Sequence, residues 1–182
     1  QLSCKSSIEL MRWAKDKGLP VTCDVAMHQL YLTDDNLKGF NAQAYVLPPL
    51  RSNTDQQAIR RGLKDGTIDA ICSHHEPLNS TAKKAPFAES TPGISNFDTF
   101  MALACQLVRD EVLTLEQLVD KICLNPAKIA GISEKYESIG GAVLVDPNLE
   151  WQVTTETMLS NGKNTPFFNE QLQGRVVETF FA

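Results

Sequence analysis

The sequence predicts an α/β fold, part of a barrel of parallel strands whose polar ends converge on one site. Three observations point there. The stretch 68–78, IDAICSHHEPL, opens as a short buried strand (Ile68, Ala70, Ile71, Cys72) and stops abruptly at Ser73, His74, His75, Glu76 and Pro77. Upstream, 6–25 reads as helix, Gly18-Leu19-Pro20 and strand, one half of a βα repeat. Buried strands that deliver polar, metal-capable side chains at their C-terminal ends are how α/β barrels build active sites. The regions around Gln1, Asp24 and His74 all read as such ends.

In order, residues 6–17 form the first helix. Ser6 and Glu9 make a capping box, and Ile8, Met11 and Ala14 with Leu10 give its apolar face. Gly18 stops it and Pro20 prevents continuation. Residues 21–25, VTCDV, are a short strand. Asp24 is a charge inside that strand, costly unless paired or bound to a metal; the plainer reading has it face a polar barrel mouth and cap a nearby loop. His28 follows four residues later, and a lone histidine there is more often a hydrogen-bonded structural residue than a ligand. Residues 30–43 are polar and irregular. Pro48 and Pro49 make 44–51 a rigid extended loop.

A second helix spans 52–64, capped by Thr54 and Gln57, with Ala58, Ile59 and Leu63 toward the core. Asp65-Gly66 ends it and leads into the strand at Ile68. Beyond Leu78 comes a polar loop through STPGISN, placed where a lid would be, although surface solvation is its default role. Residues 96–110 are a long helix with Phe97, Phe100, Met101, Ala104, Leu107 and Val108 at core-facing spacing. Thr114 and Gln117 cap another helix through Leu124, and Asn125-Pro126 restarts a short turn to Gly131. From 134 the character changes. Gly140-Gly141, AVLVD, residues 151–154 and 175–181 read as a small antiparallel appendage, too few strands to stand alone. The chain thus divides into 1–133 and 134–182.

The composition narrows the function classes. A chain of 182 residues suits one domain with an appendage. A net charge of −5 and a pI near 5.2 argue against nucleic acid or anionic membrane as the main partner. No apolar run approaches the ~20 residues of a membrane span, and no signal-peptide pattern opens the chain. The five cysteines, Cys4, Cys23, Cys72, Cys105 and Cys123, are scattered without a C-x-x-C and read as reduced thiols of a cytoplasmic protein. Gln1 is not a methionine and the chain enters as though mid-element, as the C-terminal part of a longer polypeptide would.

Five segments, in order, carry a resemblance: GLPVTCDVAMHQLYLTDDNL, PPLRSNTDQQAIRRGLKDGTIDAICSHHEP, APFAESTPGIS, NPAKIAG and GKNTPF. Together they resemble the second half of a class I dihydroorotase, a cyclic amidohydrolase of pyrimidine biosynthesis. The resemblance implies a TIM-like (β/α)8 metal-dependent hydrolase barrel with a small composite β-sandwich made from both chain ends. On that template Gln1 ends strand six, VTCDV is strand seven and IDAICS is strand eight, and the tail is the C-terminal share of the sandwich. A barrel of about 250 residues cannot close with under half its strands, so 1–182 alone is expected not to form one; the missing N-terminal part would be its first partner.

The family holds one or two zinc ions with a His-x-His on strand one, a carboxylated lysine or aspartate on strand four and histidines on strands five and six. An aspartate ending strand eight takes a proton from metal-bound water. Here the family's Asp-His-Ala-Pro-His reads His74-His75-Glu76-Pro77-Leu78. The aspartate position is His74, and the substrate-holding closing histidine is Leu78. Gln1 stands at the strand-six histidine, Leu47 at a substrate-binding asparagine, and Gln29 at one of two histidines after strand seven. What is left is a degenerate pocket of Asp24, His28, Leu47, His75 and Leu78, with no catalytic residue and no metal ligand expected.

This combination is similar to the inactive dihydroorotase-like proteins that accompany aspartate transcarbamoylase and scaffold its catalytic subunits. The resemblance therefore implies a structural partner without cofactor. Two alternatives stay open: an active zinc-dependent dihydroorotase or related cyclic amidohydrolase completed by His74 or His75, and a metal or small-molecule binding module using His28, His74 and His75.

Overall fold

The computed structural model describes residues 1–133 and 141–180. Helix α1 (Lys5–Asp16) precedes two parallel strands, β1 (Asp24–Ala26) and β2 (Ala70–Cys72), joined through helix α2 (Asn53–Lys64). Asp24 pairs with Ala70, Val25 with Ile71 and Ala26 with Cys72, so β1, α2 and β2 form one βαβ crossover. Leu2 N donates to Asp24 O at 2.8 Å, which lays residues 1–3 alongside β1. Among the described residues the parallel sheet has two strands, so no barrel closes within them.

The first strand starts later than expected, at Asp24, because Asp69 occupies the backbone of Cys23. Asp69 Oδ2 accepts from Cys23 N at 2.8 Å, and Asp69 N donates to Cys23 O at 2.9 Å. Lys15 holds the other oxygen of that carboxylate at 2.7 Å. Val25 and Ile71 point away from the Asp24 and Cys72 face and pack with Ile8, Ile59, Leu63 and Ile68 of the core. Gly62 lets α2 approach α1, since a Cβ there would lie 3.0 Å from Ile8 Cγ2.

Two of the expected helix caps are replaced. The Ser6/Glu9 box does not form: α1 begins at Lys5 behind an extended Cys4, and its first N–H donates to Asp55 Oδ1 of α2 at 2.8 Å. Helix α2 is capped by Ser52, whose Oγ accepts from Asp55 N at 3.3 Å, rather than by Thr54. Ser52 Oγ also donates to Asp55 Oδ2 at 2.6 Å, so one aspartate serves the starts of both helices. Leu10 lies on the exposed side of α1, while Ile8 and Ala14 are buried.

Helix α3 (Phe97–Arg109) buries Thr99, Ala102, Leu103, Ala104 and Leu107. The expected face is thus rotated: Ala104 and Leu107 point inward, but Phe97 is 63% exposed. The tail packs along the same helix. Strands β3 (Ala142–Gln152) and β4 (Gln171–Phe180) form an antiparallel ribbon, and β4 crosses α3 at Gly174. A Cβ on Gly174, which has φ +108, would come 3.0 Å from Cys105 Cβ and Sγ. Trp151 locks the crossing by donating from Nε1 to Gly174 O at 3.2 Å. The capping box of Thr114 and Gln117 forms as read and starts α4 (Leu115–Val119). A π turn (Asp120–Leu124) then carries the chain unbroken into α5 (Asn125–Ile129).

The expected division at 133/134 falls at the edge of residues 134–140, which lie outside those described, as do Gly140 and Phe181 of the predicted strands. Among the described residues no helix is long and apolar enough to cross a membrane.

The shared cap predicts the first outcome. The Lys5 N–H, and next the Ser52 hydroxyl, hold the Asp55 carboxyl below its usual range. Asp55→Ala should cost about 1–2 kcal/mol of stability at neutral pH, as lost caps do. The deficit should shrink as pH falls through the Asp55 pKa, where the wild-type carboxylate is neutralised. Urea denaturation at neutral and acid pH reads both; an unchanged midpoint at neutral pH would show that α1 is held by other contacts.

Candidate functional site

The end of β2, the turn after β1 and the start of α3 meet at Asn96. This residue is fully buried. Its Nδ2 donates to Ser73 O at 2.8 Å and to His28 Nδ1 at 2.9 Å, with His74 O farther off at 3.4 Å. A carbonyl can only accept, so the group facing Ser73 is the NH2, and His28 must offer it a ring lone pair. His28 therefore carries its proton on Nε2, an atom that is buried and has no partner. The ring sits in a 3₁₀ turn (Met27–Leu30) with no exposed surface. Burial, and secondarily the neighbouring His74, push His28 down to about 3, so it is neutral.

His74 turns the chain out of β2 in the left-handed region, with φ +45, uncommon for a residue with a side chain. Its ring stacks on His28 with centroids 5.6 Å apart and planes at 24°. His74 Nε2 lies 3.5 Å from Glu76 Oε1, while Nδ1 is buried without a partner. His75 points elsewhere. Its Nδ1 accepts from Asn96 N and Phe97 N, both at 3.1 Å, so the imidazole caps α3. The ring stacks on Phe97 at 4.1 Å and 4°. Burial lowers its pKa against the opposing pull of Asp98.

The other expected positions do not join this cluster. Gln1 Nε2 donates to Cys72 Sγ at 2.9 Å, and Asp24 Oδ1 lies 3.2 Å from the Gln1 main-chain nitrogen. Burial raises the Asp24 carboxyl and the Cys72 thiol beside it lowers it. Burial and that carboxylate push Cys72 up to about 12, so its thiol stays protonated. Asp24 and Cys72 face a hollow walled by Ile122, Pro126 and Ile129. Gln29 is buried and donates to Pro48 O at 2.9 Å, tethering the proline loop. Leu47, on that loop, is exposed. Leu78 N donates to Asn164 Oδ1 at 2.7 Å at the rim of a separate cleft.

Two residues that organise the site were not singled out from the sequence, Asn96 and Asn164. Asn96 reads as a helix start and Asn164 as the centre of GKNTPF; no local pattern announces a buried carboxamide. Asn164 Nδ2 donates to Glu76 O at 2.9 Å and Gly93 O at 3.1 Å, and its own carbonyl accepts from Ser95 N at 2.8 Å. The tail thereby pins both loops that flank His74 and His75. Gly162 is what lets it come so close: a Cβ there would lie 2.5 Å from Leu78 N and 2.7 Å from Pro77 Cα.

The zinc that the resemblance implies can be tested against these atoms. A histidine ligates through a ring lone pair. His28 has spent its Nδ1 lone pair on Asn96, and His75 has spent its own on the α3 backbone, which leaves each with a proton on Nε2. His74 Nδ1 has no partner but is buried, and the Cys72 thiol is protonated. Among the described residues no three metal-capable side chains converge. The donor set of the described residues does not fit zinc.

No protein-family model matches the chain. A dihydroorotase of Geobacter metallireducens is 40% identical over 181 residues, covering 98% of this chain and 43% of that protein. A dihydroorotase-like protein of Pseudomonas aeruginosa is 42% identical over 179 residues, covering 97% and 42% respectively. Among solved structures, the L-hydantoinase (dihydropyrimidinase) of Arthrobacter aurescens superposes with a TM-score of 0.90 at 24% identity, over 100% of this chain and 42% of that one. The inactive dihydroorotase-like domain of the Chaetomium thermophilum CAD-like multifunctional protein gives a TM-score of 0.68 at 26% identity, over 96% and 46%. The chain spans less than half the length of the relatives and structures it matches. The fold is thus part of an amidohydrolase TIM barrel, as the sequence predicts.

Two outcomes follow from this geometry. His28 ionises near 6.5 when unfolded and at about 3 when folded. Between those values the unfolded chain binds a proton that the folded chain refuses, so stability rises with pH across that window and falls on acidification. The slope from one proton is at most ~1.4 kcal/mol per pH unit. His28→Gln should flatten urea midpoint against pH there; an unaltered slope would mean that His28 charges inside the fold. Gly162→Ala should cost about 1–3 kcal/mol, as overpacking does, and should speed amide hydrogen exchange at Leu78 and Ser95. Unchanged exchange would show that the tail does not hold those loops.

Proposed function

We propose that this chain belongs to a dihydroorotase-like protein of pyrimidine biosynthesis that does not hydrolyse dihydroorotate and instead serves in the cytoplasm as a structural partner of aspartate transcarbamoylase catalytic subunits. The observation that carries the reading is the end of β2. Where the resembled family places a proton-accepting aspartate, this chain has His74, stacked on a neutral, fully buried His28. The nearest carboxylate, Glu76, lies 3.5 Å from the far side of the His74 ring and is directed at that ring. A site that activates water needs a base poised to accept its proton, and the carboxylate that the resembled family carries for this role is missing from this strand end. The relatives named dihydroorotase and dihydroorotase-like support the pathway, and the structure named as an inactive dihydroorotase-like domain supports the loss of turnover. The remainder of the barrel would come from the rest of the polypeptide.

One observation favours a second reading, an active cyclic amidohydrolase that uses zinc bound by other parts of the polypeptide. His74 keeps a free Nδ1, and Glu76 lies on its opposite nitrogen, the order of an oriented base. A single experiment separates the two. The full-length protein, supplemented with zinc, is assayed for dihydroorotate hydrolysis and its metal content is measured on the same sample. No turnover and no stoichiometric metal, with co-purification of transcarbamoylase catalytic chains, is the expected result. Turnover that His74→Ala abolishes would overturn the inactive reading.

A further inference from the structure

We infer that the cleft between the loop after β2 and the 161–168 loop of the tail binds a small oxyanion, held by Lys83 and Lys163. The cleft measures about 400 Å³, a metabolite-sized space. Its lining includes Leu78, and its Lys163, Asn164 and Thr165 belong to the GKNTPF segment.

Its charge is one-sided. Both lysines line it and no aspartate or glutamate does, on a chain whose net charge is −5. Lys83 Nζ donates to Tyr45 O at 3.1 Å and lies 5.8 Å from the Tyr45 ring centroid. Lys163 Nζ donates to Met158 O at 2.7 Å. Each ammonium has three N–H groups and spends one on a carbonyl, and neither forms an ion pair among the described residues. Burial brings Lys83 down to about 8 against the opposing pull of Glu76, as expected for a cation that lacks a counter-ion. An anion between the two lysines would offset that desolvation.

The site is also preformed, because Asn164 on its wall is held to Leu78, Glu76 and Gly93 as described above.

Inorganic phosphate provides the probe. Titration of the full-length protein, followed by phosphorus NMR and calorimetry, should show saturable phosphate binding at a Kd of about 1 mM or tighter. Lys83→Met and Lys163→Met should each weaken phosphate by about tenfold while the protein stays folded by circular dichroism, with Lys83→Arg retaining most of the affinity. Absence of saturable phosphate binding, or affinity indifferent to both lysines, would overturn the proposal.

Discussion

The carboxamide of Asn96 is the contact on which the rest of the site depends. Two parallel strands end beside each other, and each must send its chain away through a turn whose polar atoms are shut off from water. Ser73 O, His28 Nδ1 and the first N–H groups of α3 all converge there. Asn96 satisfies the first two with its side chain, and its own N–H goes to His75. A buried polar group left unpaired costs about 1–3 kcal/mol, so one residue offsets several such penalties at once. It also decides chemistry. By donating to His28 it sets the tautomer of that ring, and by presenting its backbone to His75 it sets the other. Two of the three histidines are thereby converted from lone-pair donors into N–H donors.

That conversion links packing to function. Zinc sites require neutral imidazoles with a free lone pair aimed at the metal, oriented by an acceptor on the far nitrogen. Here the far nitrogens of His28 and His75 face donors, the reverse arrangement. The Asp24 carboxylate is ionised and the Cys72 thiol protonated, and these two are occupied with Gln1 and with each other. The polar residues at the strand ends are only partly paired with one another, since His28 Nε2, His74 Nδ1, Ser95 Oγ and Asn96 Oδ1 are buried without partners.

The tail is fastened to the same place. Asn164 reaches back to the loops after β2 and before α3, and Asp98 at the start of α3 accepts from Leu159 N at 2.6 Å. The β3–β4 ribbon is anchored again where Gly174 crosses α3. Because these contacts run from the tail to the strand-end loops, the appendage and the barrel portion share their wall, and the lysine-lined cleft exists only where they meet.

Much of this was legible in the residues. The 3.6-residue spacing of Ala58, Ile59 and Leu63, the apolar run before Ser73, and Thr114 with Gln117 are local signals that rest on backbone geometry and nearest neighbours. They determined the order of helices and strands, and the ordered motifs carried the resemblance to an amidohydrolase barrel. What only the tertiary structure decided are the contacts between residues far apart in sequence. Asp55 displaces the Ser6/Glu9 cap because α2 lies against α1. Phe97 is exposed and stacks on His75, a partner 22 residues away that helical spacing does not announce. His74, His75 and His28 look alike as letters, yet one keeps a free lone pair and two do not, since the tautomer is set by a carboxamide 68 residues from His28. A hydrogen-bond donor's identity is local, but which acceptor it meets is a property of the fold.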